Sequence, residues 1–386
     1  HYPLRRQRQM CIRDRNCITD LTLLLKTGNF KMNIITDSIK NEKEYSGLIS
    51  AVFSETGSKN PRSISVTGLS EGARISLLMS IARDFRARFG RGILTVFPDE
   101  KYCVKMYSAC RESGLNAFIY PFRDFIFHNM TFSHDLEYER IGVLSAVLRG
   151  DYDIIITTPD AALQYTVPPD ILAVSGMKLS EGTEISTEKL SSYLSGNGYV
   201  RAEMVEGPGQ FAIRGDIIDV YPPSSEGPVR IQLFGDEIEV MEYFDILSQR
   251  RTGRLQTVEL TPAREILAGA EERILLSETI TQQLNRADDE RVKDMLRSEL
   301  GAVNSGCELN FLDKYISLIY PEKTCLLDYF DERQLVAVTE YAASRDRIKA
   351  FEFRMREAIE GLISEAEIYG KSADYCKWGQ DFENYI

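Results

Sequence analysis

Between residues 63 and 172, short β-rich apolar runs alternate with stretches of helical periodicity. Runs at Ile64–Thr67, Ile93–Phe97, Ala117–Tyr120 and Asp153–Thr157 have the length and β-branched content of strands. Between the first two, Ile75, Leu78, Ala82 and Phe85 fall at helical spacing within Arg74–Arg88. Further helical patterns cover Glu100–Ser113 and Leu136–Arg149, the latter stopped by Gly150. Strand–helix alternation at this spacing predicts a parallel sheet with helices packed on it.

The pattern changes after residue 172. A helix is predicted over Thr187–Ser195, ended by Gly196-Asn197-Gly198. Period-two runs follow. Val200–Val205 and Gln210–Tyr221 flank Gly207-Pro208-Gly209, and Val229–Phe234 and Glu237–Phe244 flank Gly235-Asp236. Both pairs are expected to be adjacent strands, in a small, mostly antiparallel α+β module inserted in the larger fold. Pro222 to Pro228 has the composition of a surface loop. From residue 263 mixed patterns return, with strands expected at Gln334–Thr339 and, more weakly, Lys314–Tyr320. Ile348, Phe351, Met355, Ile359 and Leu362 then mark one face of a helix.

At about 100–200 residues per domain, a chain of 386 residues accommodates two or three domains. The divisions expected are 32–172, 173–263 and 264–372. They are preceded by a non-native or disordered leader at 1–31, with Met32 as the start, and followed by a truncated linker at 373–386. The basic stretch from Arg5 to Arg15 has little apolar content and resembles translated adapter sequence. No run of 18 uncharged apolar residues occurs, so no membrane span is expected. Seven cysteines without a Cys-x-x-Cys pair fit reduced thiols in a cytoplasmic protein. His1, His128 and His134 are too few and too scattered for a zinc site. The net charge of −12 opposes general affinity for nucleic acid phosphate. Lys101, Lys105 and Arg111 could form at most a weak basic patch.

One motif bears on catalysis. The run from Thr67 to Ser76 follows a predicted strand and opens a helix, which is the setting of a phosphate-binding loop. A working loop needs a second glycine where backbone N–H groups wrap the phosphates, then lysine for charge and a hydroxyl for Mg²⁺. Counting from Gly68, those positions hold Ala73, Arg74 and Ile75; Gly72 falls one residue early. Ile75 has no oxygen to offer a cation, and Glu71 adds negative charge where a triphosphate would lie. The expectation is a degenerate nucleotide loop, with no cofactor and no metal in this segment.

Three stretches carry a family resemblance. The first runs from Tyr120-Pro121-Phe122-Arg123-Asp124 through Arg140–Leu144 to Asp153–Gln164. The second runs from Gly198-Tyr199-Val200-Arg201 to Gly209–Pro222, and the third from Val229 through Phe244–Arg250 to Leu260–Glu265. Together they resemble the N-terminal UvrB-homology region of bacterial transcription-repair coupling factors, over roughly residues 45–370. The resemblance implies an α/β fold: a degenerate P-loop, RecA-like and UvrB-like parallel-sheet domain carrying a UvrA-binding module. It implies recruitment of the excision-repair subunit UvrA to RNA polymerase stalled at DNA damage, by protein–protein binding. ATP, Mg²⁺, polymerase and duplex DNA would be handled by downstream domains, and the segment would be monomeric. Arg214 and Arg201 match the family's partner-binding arginines, with Phe211 and Tyr221 as apolar anchors and Ala212 where UvrB-like sequences carry another arginine. The alternative is a UvrB-like, ATP-dependent helicase and damage-recognition domain. Against it stand the degenerate loop and the absence of a tyrosine-rich hairpin at Phe122–His134.

Overall fold

A computed structural model describes residues 39–56 apart from 41, 63–123, 134–305, 309, 311–369 and 373–385. Helices α1 (Lys43–Glu55) and α2 (Glu71–Phe89) lead into β1 (Ile93–Val96), α3 (Glu100–Glu112), β2 (Ala117–Tyr120), α4 (Asp135–Arg149), β3 (Ile154–Thr157) and the short helices α5 (Pro159–Leu163) and α6 (Pro169–Ser175). The next segment runs β4 (Met177–Ser180), α7 (Thr187–Gly196), β5 (Val200–Arg201), β6 (Gln210–Arg214), β7 (Ile217–Val220), β8 (Val229–Phe234), β9 (Glu237–Phe244), β10 (Arg251–Leu255) and β11 (Thr257–Leu260). The chain closes with α8 (Ala270–Arg286), α9 (Glu290–Ser305), α10 (Ile316–Ile319), β12 (Val336–Val338), α11 (Tyr341–Ser364) and α12 (Gly379–Tyr385).

The first sheet is parallel, in the order β12-β1-β3-β2. Its strands are apolar at successive positions because both faces are covered. Leu94, Val96 and Ile155 point into a core shared with α4, α8, α9 and α11. Ile93, Ile154 and Ile156 point into a second core with α1, α2 and α3. The second sheet has six strands, β10-β9-β8-β7-β6-β5, antiparallel except for β5 beside β6. Its core-facing side (Phe211, Ile218, Val220, Ile231, Met241) packs with Leu190 and Leu194 of α7. A two-stranded ribbon of β4 and β11 closes the module, pairing Met177 with Leu260 and Ser180 with Thr257. A mixed α/β fold with a parallel-sheet domain and an inserted, mostly antiparallel module is therefore what the residue pattern anticipated.

Four local expectations change. Residues 63–67 are irregular, and Ile64 and Val66 are exposed. Both edges of β1 are taken, by β12 and β3, so this run has no place beside it. The run at Val200–Val205 shrinks to two residues that lie parallel to β6. The hairpin partner of β6 is instead β7, across Gly215-Asp216, with Gly215 at φ 60°. The stretch expected as a strand at Lys314–Tyr320 is helical as far as Ile319, and Lys314 and Tyr315 both turn inward onto buried Glu299, at 2.8 and 2.6 Å. The expected linker at 373–386 packs into the core as far as it is described: Tyr375, Cys376 and Phe382 are buried, and the Tyr165 N–H donates to the Tyr375 carbonyl at 2.9 Å. Among the described residues, no helix is long and apolar enough to cross a membrane.

Candidate protein-docking site

Helix α2 begins where a phosphate loop would end. Its exposed N-terminal N–H groups and dipole would attract an anion, but its own residues satisfy that end. The Ser70 hydroxyl accepts from the Ala73 N–H at 3.3 Å, and Glu71 places a carboxylate in the first turn. Arg74 turns to Glu340 at 2.6 Å, and Lys105 pairs with Glu71 at 2.7 Å. That second pair also neutralises part of the weak basic patch of Lys101, Lys105 and Arg111. Gly68 takes a left-handed φ of 82°, as a turn glycine does, while Gly72 is helical and has open space around it. The neighbouring carboxyl end of the parallel sheet, where α/β proteins usually bind ligands, is bridged by Arg347 of α11. Arg347 contacts Asp160 at 2.7 Å, the Pro98 carbonyl at 3.2 Å and Glu100, whose carboxyl it holds below its ordinary value. The side chains at 73–75 do not fit a Mg²⁺-nucleotide. Among the described residues no group of His, Cys, Asp or Glu is placed to hold a metal ion.

A buried ionic joint sets the module on the sheet domain, and sequence reasoning did not find it. Arg140 of α4 and Glu265, just beyond β11, have wholly buried side chains. Arg140 donates to the Glu265 carboxylate through Nε and Nη2 at 3.0 and 2.8 Å, and to Gln164 and the Pro121 carbonyl. The Thr166 hydroxyl donates to the same carboxylate. Arg123 bridges Glu265 and Asp313, each at 3.2 Å. Glu137 accepts from the Glu265 N–H at 2.6 Å and lies beside His134 and Arg264 at 2.9 and 3.6 Å. Three arginines thus meet three carboxylates drawn from α4, the module's exit and the segment after α9. Burial works against the charge on Glu137, but His134, Arg123 and Arg264 outweigh it and pull its pKa down to about 2. Two glycines let the module approach this closely. A Cβ on Gly209 would lie 2.3 Å from the Tyr138 hydroxyl of α4, and one on Gly198 would lie 2.2 Å from Arg264 Cγ. A legible signal existed: Glu137 and Arg140 share the helical face of Leu144 and Val147, so charge falls on an apolar stripe.

The module's outer face is wet. Along β6, β8 and β9 the residues alternate between buried core and the exposed or half-buried Arg214, Arg230, Gln232, Glu239 and Glu242. Arg214, at the end of β6, is exposed and its guanidinium donates to the Glu203 carbonyl at 2.9 Å. Arg201 is also exposed, but it stands level with Phe211 at the β5 edge, whereas Arg214 pairs with Ile217. Alternation along the strand places these arginines on opposite sides of the pleat, not on one surface. Phe211 is fully buried in the module core, so it supports the sheet and presents no apolar surface. Tyr221 is half-buried on the outer face, packed on Val205, Ala212 and Phe244. Ala212, where UvrB-like sequences carry arginine, is buried in that cluster. Of the Phe122–His134 region, residues 124–133 lie outside the described residues.

Comparison with known proteins finds similarity over this module and beyond it. Residues 177–266 match the model of the UvrB interaction domain. A transcription-repair-coupling factor of Bacillus subtilis (strain 168) is 27% identical over 323 residues, which is 78% of this chain and 27% of that protein. The Staphylococcus aureus (strain MRSA252) transcription-repair-coupling factor is 25% identical over 374 residues, 92% of this chain and 30% of its own length. The UvrABC system protein B of Chlorobium limicola is 26% identical over 291 residues, 71% of this chain and 42% of its own. The chain therefore spans less than half the length of these relatives. Residues 177–266 thus match the UvrB interaction domain, within a chain that over most of its length is similar to transcription-repair coupling factors.

Proposed function

We propose that this chain is a docking platform that binds the excision-repair subunit UvrA through its module and so links it to RNA polymerase stalled at DNA damage. The carrying observation is the match of residues 177–266 to the UvrB interaction domain, together with an outer sheet face that presents Arg214. Arginine suits this role because its planar fork pairs with carboxylates in two places and it recurs among interface anchors. In this reading the segment hydrolyses no ATP: the turn at 68–75 caps a helix, and polymerase binding and translocation belong to parts of the larger protein. Arg201, on the other side of the pleat, is the less favoured contact.

A second reading, a UvrB-like ATP-driven helicase, is favoured by the similarity to UvrABC system protein B. Ala73, Arg74 and Ile75 weigh against it. One experiment separates the two. The chain is mixed with purified UvrA, ATP or duplex DNA, and co-elution and calorimetric binding are measured. Co-elution with UvrA alone is expected. Arg214→Glu is expected to weaken UvrA binding about tenfold or more without lowering the thermal midpoint, since the side chain is exposed. Submicromolar ATP affinity would refute the docking-only reading, and unchanged affinity of Arg214→Glu would remove that residue from the site.

A further inference from the structure

The turn joining β9 to β10 is firmly built, yet it displays an apolar side chain to water. Leu247 at its apex is 94% exposed, the most exposed large hydrophobic among the described residues. The Asp245 carboxylate accepts from the Ser248 N–H at 2.8 Å and from its hydroxyl at 2.6 Å. The Gln249 N–H donates to the Asp245 carbonyl at 2.7 Å, and the Gln249 side chain donates to the Ile246 carbonyl at 2.8 Å. Gln249 sits at φ 57°, a backbone state that a side chain reaches only when its surroundings hold it there. Arg230 supplies that hold. It reaches the Gln249 carbonyl and side-chain oxygen at 3.3 and 3.2 Å, is anchored on Asp219 at 2.7 and 2.8 Å, and stacks 4.7 Å from the Phe244 ring. Beside the apex lies an open groove lined by Tyr221, Pro228, Tyr243 and Phe244.

A turn that served only to reverse the chain would carry a polar residue or glycine at its apex. Here the backbone that carries the isobutyl group is hydrogen-bonded in place beside a groove lined in part by aromatic rings, so little backbone freedom remains to be lost on binding. The turn and groove also lie within the matched interaction domain, on the open sheet and at the opposite end of its strands from Arg214. We infer that Leu247 is an apolar anchor of the docking surface, inserting into an apolar socket on the partner while Tyr221 and Tyr243 close around the contact. The inference rests on the reading that this module docks UvrA. It gives that surface two separated ends: a guanidinium at Arg214 for partner carboxylates, and an apolar end at Leu247.

The test measures the affinity of the whole chain for purified UvrA by titration, using wild type, Leu247→Asp, Leu247→Met and Arg214→Glu. Leu247→Asp is expected to bind roughly tenfold or more weakly, with its thermal midpoint unchanged. Leu247→Met, which keeps the apolar bulk, is expected within about twofold of wild type. If wild type binds, Arg214→Glu weakens binding and Leu247→Asp does not, the inference fails while the docking reading stands. If wild type does not bind UvrA, the docking reading fails and the inference falls with it.

Discussion

At the scale of single residues, Arg140 and Glu265 show what a buried charge demands. Both side chains are sealed from water, so removing Arg140 leaves the Glu265 charge to Arg123 and Thr166 alone. Losing one partner of such a pair typically costs about 3–5 kcal/mol, whereas replacing both by apolar groups is often near neutral. Arg140→Met should therefore lower the unfolding free energy by about that amount, measured by urea denaturation. Adding Glu265→Met should recover part of the loss, because Arg123 keeps Asp313 as a partner. Simple addition of the two single losses would mean that the pair is not a coupled unit. Arg214 and Leu247 are the opposite case: exposed residues whose substitution should register in binding and leave stability alone.

At the scale of elements, helix α2 is instructive because its start resembles a nucleotide site and works as a cap. The Ser70 hydroxyl satisfies the Ala73 N–H. Ser70→Ala should cost about 1 kcal/mol of stability, seen as a lower thermal midpoint, with no change in UvrA affinity. Elements were legible where period and punctuation agreed. Helix α3 showed in its spacing, and the β8–β9 hairpin showed in alternation around Gly235-Asp236. They were illegible where a neighbour decided the outcome. Nothing local in Ile64–Thr67 says that β12 occupies the available sheet edge. The Gly207-Pro208-Gly209 run looks like a hairpin turn, yet β5 returns parallel to β6. The proposed docking face was only partly legible. Arg214 could be picked as outward-facing, but Phe211, offered with Tyr221 as an apolar anchor, belongs to the core side of the same strand. A lone leucine in a turn has no periodicity at all, so Leu247 left no trace in the pattern. The stretches that carried the family resemblance also contain Arg123, Arg140, Gln164 and Glu265, and the reason is visible only in three dimensions: they form one network.

At the scale of the whole molecule, that network ties the module to the sheet domain, and Glu137 makes the tie sensitive to acid. Its folded pKa lies near 2, below the ordinary 4.5. A depressed carboxyl pKa contributes stability that is fully present above the ordinary value and is lost as pH falls through the folded one. The thermal midpoint of wild type should therefore fall more steeply between pH 4.5 and 2 than that of Glu137→Gln. The variant should already be less stable at pH 7. Parallel curves would assign the acid sensitivity to other groups.

The ribbon of β4 and β11 has a further consequence, for the history of the chain rather than its chemistry. Met177 and Leu260 are paired, so the module leaves and re-enters the host at adjoining points. The host domain then meets it as a short, already closed loop, and closure entropy grows only slowly with the length of the excursion. A unit with such a clasp can be gained, lost or exchanged between unrelated frameworks with little disturbance to the folding of either. One such module can thus be carried by frameworks that otherwise differ.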